Sequence, residues 1–126
     1  PGRANDADTT AYPVLIGEDF TDGVLTLHAT ALGHGGVISI VGLAESATMG
    51  FPYLDAQIPL DFDPLFAGAI GAGGAIAFLP AEGYRSWSIP VGPPYPPNTL
   101  YIAHILLALS FASIPGVSTA LPFTLP

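Results

Sequence analysis

Asp55, Asp61 and Asp63 are the side chains of this chain whose type and spacing come closest to a catalytic or cation-binding set. Asp61 and Asp63 stand two apart, on one face of an expected strand, about 7 Å from each other. A glycosidic pair must flank the scissile bond from opposite sides, and no cleft residues accompany these two. They read as a solvated acidic stripe. Asp55 on the same face offers at most a site for a hard cation. Glu18, Asp19 and Asp22 cluster around a turn and read the same way. His28, His34 and His104 have no metal-ligand spacing. His28 is expected on an exposed strand, His34 in a turn, and His104 partly buried with a hydrogen-bond partner. No Gly-x-Ser-x-Gly elbow occurs. Gly68-Ala-Ile-Gly-Ala-Gly-Gly74 matches neither nucleotide fingerprint and brings no Lys; close backbone packing accounts for it. Tyr53, Tyr84, Trp87 and Tyr95 could together stack on a sugar, although Trp87 reads more readily as core.

The elements that must hold these residues are strands. Residues 24–32 alternate, with Leu25, Leu27, Ala29 and Ala31 inward and Thr26, His28 and Thr30 outward. Residues 54–62 alternate as well, placing Leu54, Ala56, Ile58, Leu60 and Phe62 inward. Residues 84–91 put Trp87, Ile89 and Val91 on one side. Residues 75–79 form a further apolar strand, and 91–98 a stiff polyproline-like connection. Residues 12–16 make a short apolar strand whose Pro13 suits an edge. Only residues 68–74 leave room for a helical turn.

Two strands break the alternation. Residues 37–43 are largely apolar on both faces. Residues 99–111 carry Leu100, Ile102, Leu106 and Ala108 on one face, and Tyr101, Ala103, Ile105, Leu107, Leu109 and Phe111 on the other. After a break at Ser113-Ile-Pro-Gly116, residues 117–125 are expected to return as its hairpin partner. A strand in a two-layer sandwich normally shows one face to water, so something must cover the second face. The pattern predicts an all-β fold: a two-sheet antiparallel β-sandwich of about eight strands, Ig-like or jelly-roll-like. Residues 1–22 read as a tail and a short edge or donor-type strand, and residues 23–126 as the sandwich domain.

Composition narrows the function. The chain is 50% hydrophobic and 10% charged, with a net charge of -8 and two basic residues, Arg3 and Arg85. Such a surface cannot neutralise a row of phosphates, which excludes nucleic acid, and it disfavours anionic membranes. No apolar run is long enough to insert in a bilayer as a helix. There is no cysteine, which excludes a disulfide framework and thiolate metal sites. No cofactor is expected. The first residue, Pro1, suggests a processed or trimmed chain from which any signal peptide has gone. A charge-poor surface suits an extracellular protein partly covered by neighbours or sugar.

Ile58-Pro-Leu-Asp-Phe-Asp63, Gly74-Ala-Ile, Trp87-Ser-Ile-Pro-Val91, Leu100-Tyr-Ile-Ala and Val117-Ser-Thr-Ala-Leu-Pro-Phe-Thr-Leu125 resemble a recurring secreted bacterial domain. This is the small β-sandwich at the ends of many planctomycete and myxobacterial extracellular proteins. The likeness runs from about Gly23 to Leu125. Where that family commonly has Gln after the Tyr, this chain has Ala103-His104. Where the family has Ser-Asn-Ala, this chain has Ser118-Thr119-Ala120. The resemblance implies an extracellular structural or adhesive module and carries over no active-site residue.

Together these readings predict a non-enzymatic extracellular structural subunit that self-assembles into a filament or surface layer. Its N-terminal segment would pack on, or complete, the sheet of a neighbour. Tyr12, Pro13, Val14, Leu15 and Ile16, with Tyr101, Ile105, Leu107 and Leu109, are the expected contact. The alternative is a secreted carbohydrate-binding or adhesion module that engages cell-surface glycans.

Overall fold

The computed structural model of the chain describes residues 3–4 (backbone only), 14–33, 36–71, 73–90 and 99–124. Tyr12, Pro13, His34, Val91 and Tyr95 lie outside the described residues. Among the described residues the chain forms eleven strands and one helix, in three antiparallel sheets. The expected all-β sandwich is present, with an added layer.

The first sheet takes the order β1 (Arg3–Ala4), β2 (Leu15–Thr21), β3 (Val24–Thr30) and β8 (Tyr84–Pro90). A two-residue turn, Asp22-Gly23, joins β2 to β3, with both residues at positive φ (53° and 76°). That geometry matches the twist of a tight hairpin. The boundary expected after residue 22 therefore falls inside a hairpin, and β2 is a full member of the sandwich. The outer face is polar: Thr26 and Ser88 share a hydrogen bond at 3.0 Å, and His28 Nδ1 meets the Tyr84 hydroxyl at 2.8 Å.

The second sheet is central. β4 (Ile38–Ala44) lies between β9 (Thr99–Leu107) and the edge strand β7 (Ile76–Phe78). On the other side of β9 pair β10 (Gly116–Val117) and β11 (Leu121–Thr124). The single strand expected over 117–125 is interrupted: Val117 opposes Ile105 and Leu121 opposes Ile102, so residues 118–120 lie against 103–104 only. One residue is extra, a β-bulge. Ser118 fills it, its hydroxyl accepting the His104 N–H at 2.8 Å.

The two sheets bury Ile16, Leu25, Leu27 and Ala29 against Val41, Leu43, Ile102 and Leu121. The opposite face of the central sheet is covered by a lobe that alternation did not reveal. Residues 54–62 are not one strand. Instead β5 (Phe51–Tyr53) turns at Leu54-Asp55 into β6 (Ala56–Ile58), with Leu54 at φ 53° and exposed. Helix α1 (Pro64–Ile70) follows, where at most one helical turn was expected, further along at 68–74. Asp63 caps it, its carboxylate accepting Phe66 N–H at 2.9 Å, and Pro64 occupies the first turn, where a missing N–H costs nothing. Ile58, Leu60 and Phe66 from this lobe pack on Ala44, Ala103 and Ile105. Gly42 makes the approach possible: a Cβ there would sit 2.8 Å from the Phe66 ring. Leading into β7, Gly74 adopts φ 104° and lies against the Trp87 indole so closely that no Cβ would fit.

Candidate functional site: an apolar pocket on the central sheet

The lobe covers only part of the second face. Beside it remains an apolar pocket of about 330 Å³. Its floor is Ile38, Ile40, Ile105 and Leu107, cross-strand neighbours on β4 and β9. Phe51, Ile58, Phe66 and Ile70 form the lobe wall. Tyr53, Phe62, Ile76 and Phe111 surround the mouth. Phe62, Ile76 and Phe111 are 66%, 51% and 64% exposed, unusual for large apolar side chains gathered in one place. Among the described residues no charged side chain lines the pocket, and the one polar side chain is Tyr53.

The wall is stiff. Phe51, Phe62 and Phe66 form an aromatic triad with ring centroids 5.3, 5.3 and 5.4 Å apart, two of the contacts edge-to-face. Each such pair contributes about 0.5–1.5 kcal/mol beyond burial. Phe111 holds φ 59°, a left-handed conformation that is costly for an aromatic residue, while its ring stays in solvent. Backbone strain combined with apolar exposure concentrates at binding sites.

The three aspartates position this wall. Asp61 is no member of a solvated stripe. Its carboxylate accepts the Ser46 hydroxyl at 2.5 Å, the Gly50 and Met49 amides at 2.8 and 2.9 Å, and the Thr48 hydroxyl at 2.9 Å. These bonds, the Ser46 hydroxyl foremost, hold its pKa well below the usual carboxylate range. Asp63, besides capping α1, accepts the Glu45 amide at 2.8 Å. Asp55 accepts the Ile114 amide at 2.7 Å, fastening the β5–β6 turn to the loop that carries Phe111. All three are engaged with loop backbone, and among the described residues no cluster of three His, Cys, Asp or Glu could hold a metal ion.

Between the two sheets lies a polar chain. Ser39 Oγ is 2.7 Å from His104 Nε2, a spacing a nucleophilic dyad would also show. Both residues are fully buried. Arg85 Nε–H donates to Ser39 Oγ at 2.8 Å, the Ser39 hydroxyl donates to His104 Nε2, and His104 Nδ1–H donates to the Leu15 carbonyl at 3.2 Å. These partners assign the tautomer. Arg85 also donates to the carbonyls of Gly74, Ser39 and Ala75 at 2.6, 3.0 and 2.7 Å. Burial draws its pKa below the ordinary arginine value, and the carbonyls offset that desolvation. The network ties β8 to β4 and to the approach to β7.

The residues expected at a subunit contact divide into three groups. Tyr12 and Pro13 lie outside the described residues. Val14 and Ile16 are buried in their own chain's core, and Leu15 and Ile16 pair with Thr30 and Ala29 of β3. The Asp22-Gly23 turn keeps these pairs within one chain. Ile105 and Leu107 form the pocket floor, Tyr101 packs half-buried under the lobe, and Leu109 is exposed. The aromatic platform is not assembled among the described residues: Tyr84 stacks on His28 at the outer face, Trp87 packs into the core and Tyr53 sits on the lobe. Phe51, Phe62, Phe66, Ile76 and Phe111 were absent from the expected site, apart from Phe111 on a two-faced strand. Their sequence signal is weak because they come from four separate segments. Comparison with known protein families, with curated proteins and with solved structures finds no match.

Proposed function

We propose that this chain is an extracellular, non-enzymatic recognition module whose β-sandwich takes an apolar group into the pocket on its second face. The observation that carries the reading is the set of exposed Phe62, Ile76 and Phe111 around a pocket whose described lining holds no charge. Pockets of a few hundred Å³ with apolar walls are the usual form of small-ligand sites. Asp55, Asp61, Asp63 and the Ser39–His104 pair are already engaged in structure, which supports a role without catalysis. The charge-poor composition supports an extracellular setting. A sugar, with hydroxyls on every side, would find one side-chain hydroxyl in this lining, so glycan binding is the weaker reading.

Self-assembly into a structural array is the second reading, and β7 favours it. This edge strand carries exposed Ile76 and Phe78 with no charge or proline to protect it. Phe78 does not line the pocket, so one pair of variants separates the two readings. The neutral dye N-phenyl-1-naphthylamine is titrated by fluorescence, and light scattering follows oligomeric state. Pocket recognition predicts saturable one-to-one dye binding, weakened at least about tenfold by Ile76→Glu and unchanged by Phe78→Lys. Self-assembly predicts concentration-dependent oligomers that Phe78→Lys disperses. A monomer that binds no dye overturns both.

A further inference from the structure

Resting on that reading, we propose that the pocket selects a hydrocarbon-like ligand of on the order of ten non-hydrogen atoms and rejects the same chain when it ends in a carboxylate. The size follows from the volume. A water-sized group occupies about 30 Å³, so 330 Å³ holds about eleven. A ten-carbon chain or a pair of fused rings fills it. A longer acyl chain would leave its end in solvent.

The charge selection follows from what surrounds that volume. The floor and wall are aliphatic and aromatic, and Tyr53 offers the one side-chain hydroxyl of the lining. An anionic head group drawn to the mouth would lose water with no cation among the described lining residues to replace it. Arg85, the one cation among the described side chains, lies between the sheets with its guanidinium committed to Ser39 and to three carbonyls. The protein's net charge of -8 adds a repulsive field. An alcohol or a quaternary amine meets neither obstacle, and aromatic side chains at the mouth suit a cation.

Three probes with the same tail test the selection: decanol, decanoate and decyltrimethylammonium, each below its micellar concentration at 0.15 M salt. Each competes with N-phenyl-1-naphthylamine bound to the intact chain, a dye whose fused ring pair fills the pocket while its anilino group stays at the mouth. Decanol and decyltrimethylammonium are expected to displace the dye at concentrations at least about tenfold lower than decanoate. Hexadecanol, longer than the pocket, should gain nothing per added methylene beyond the tenth carbon. Displacement by decanoate at the same concentration as decanol overturns the proposal while leaving the pocket a recognition site. Dye that fails to bind, or binds Ile76→Glu equally well, overturns the site itself. Phe111→Ser, at an exposed position, provides a second mouth variant should Ile76→Glu not fold.

Discussion

A single carboxylate, Asp61, organises the loop between β4 and β5 by accepting hydrogen bonds from residues 46–50. Its depressed pKa has a stability consequence with a definite sign. The folded state holds the ionised form more strongly than the unfolded chain does, where an aspartate titrates at about 3.9. The contribution is whole above that value and erodes as pH falls toward the lower, folded pKa. Asp61→Asn should therefore lower the urea midpoint at pH 7 and narrow the difference between midpoints at pH 7 and pH 3; equal pH dependence in both proteins would contradict the assignment. Ser39 makes a second residue-scale case. Its hydroxyl serves Arg85 and His104 together, so Ser39→Ala removes one hydrogen bond from buried His104 and one from half-buried Arg85. A loss of about 1–3 kcal/mol is expected by denaturant titration.

At the scale of elements, the strands that alternate were legible. The patterns over residues 24–32 and 84–91 correspond to β3 and β8, because one face of that sheet meets water and the other the core. The two-faced runs that became β4 and β9 were legible as well, but what covers them was not. Covering comes from residues 51–70, whose pattern is broken by an exposed Leu54 at positive φ and a seven-residue helix. Asp63-Pro64 is the readable mark of that helix, an N-cap followed by proline in the first turn; alternation across 54–62 masks it. The fit between helix and sheet rests on Gly42. Gly42→Ala would drive a methyl group toward Phe66, and forced repacking of this kind costs about 1–3 kcal/mol. The same shift should alter dye affinity, because Phe66 is part of the pocket wall.

For the whole molecule, the layers explain why the pocket escapes a reading along the chain. Its floor comes from strands separated by more than sixty residues in sequence (Ile40 opposes Ile105), and its mouth joins Tyr53, Ile76 and Phe111 from three separate segments. Only the fold brings them together. The layers also place residues 14–16. Val14 and Ile16 are buried, and each contributes about 1.5–3 kcal/mol, against a total stability of about 5–15 kcal/mol for an ordinary domain. A chain lacking residues 1–16 would also leave His104 without the Leu15 carbonyl. Circular dichroism and chemical denaturation should find that version largely unfolded; a stable, folded monomer would place the segment outside the core.

The close seating of Gly74 against Trp87 has a practical consequence. Trp87 is the one tryptophan in the sequence, and Gly74 stands two residues before Ile76 at the pocket mouth. The protein therefore carries its own optical probe beside the strand that borders the site. Any event that draws β7 away from the indole changes the surroundings of that one chromophore. Its emission wavelength and quenching can be followed in the unlabelled protein while ligands are added.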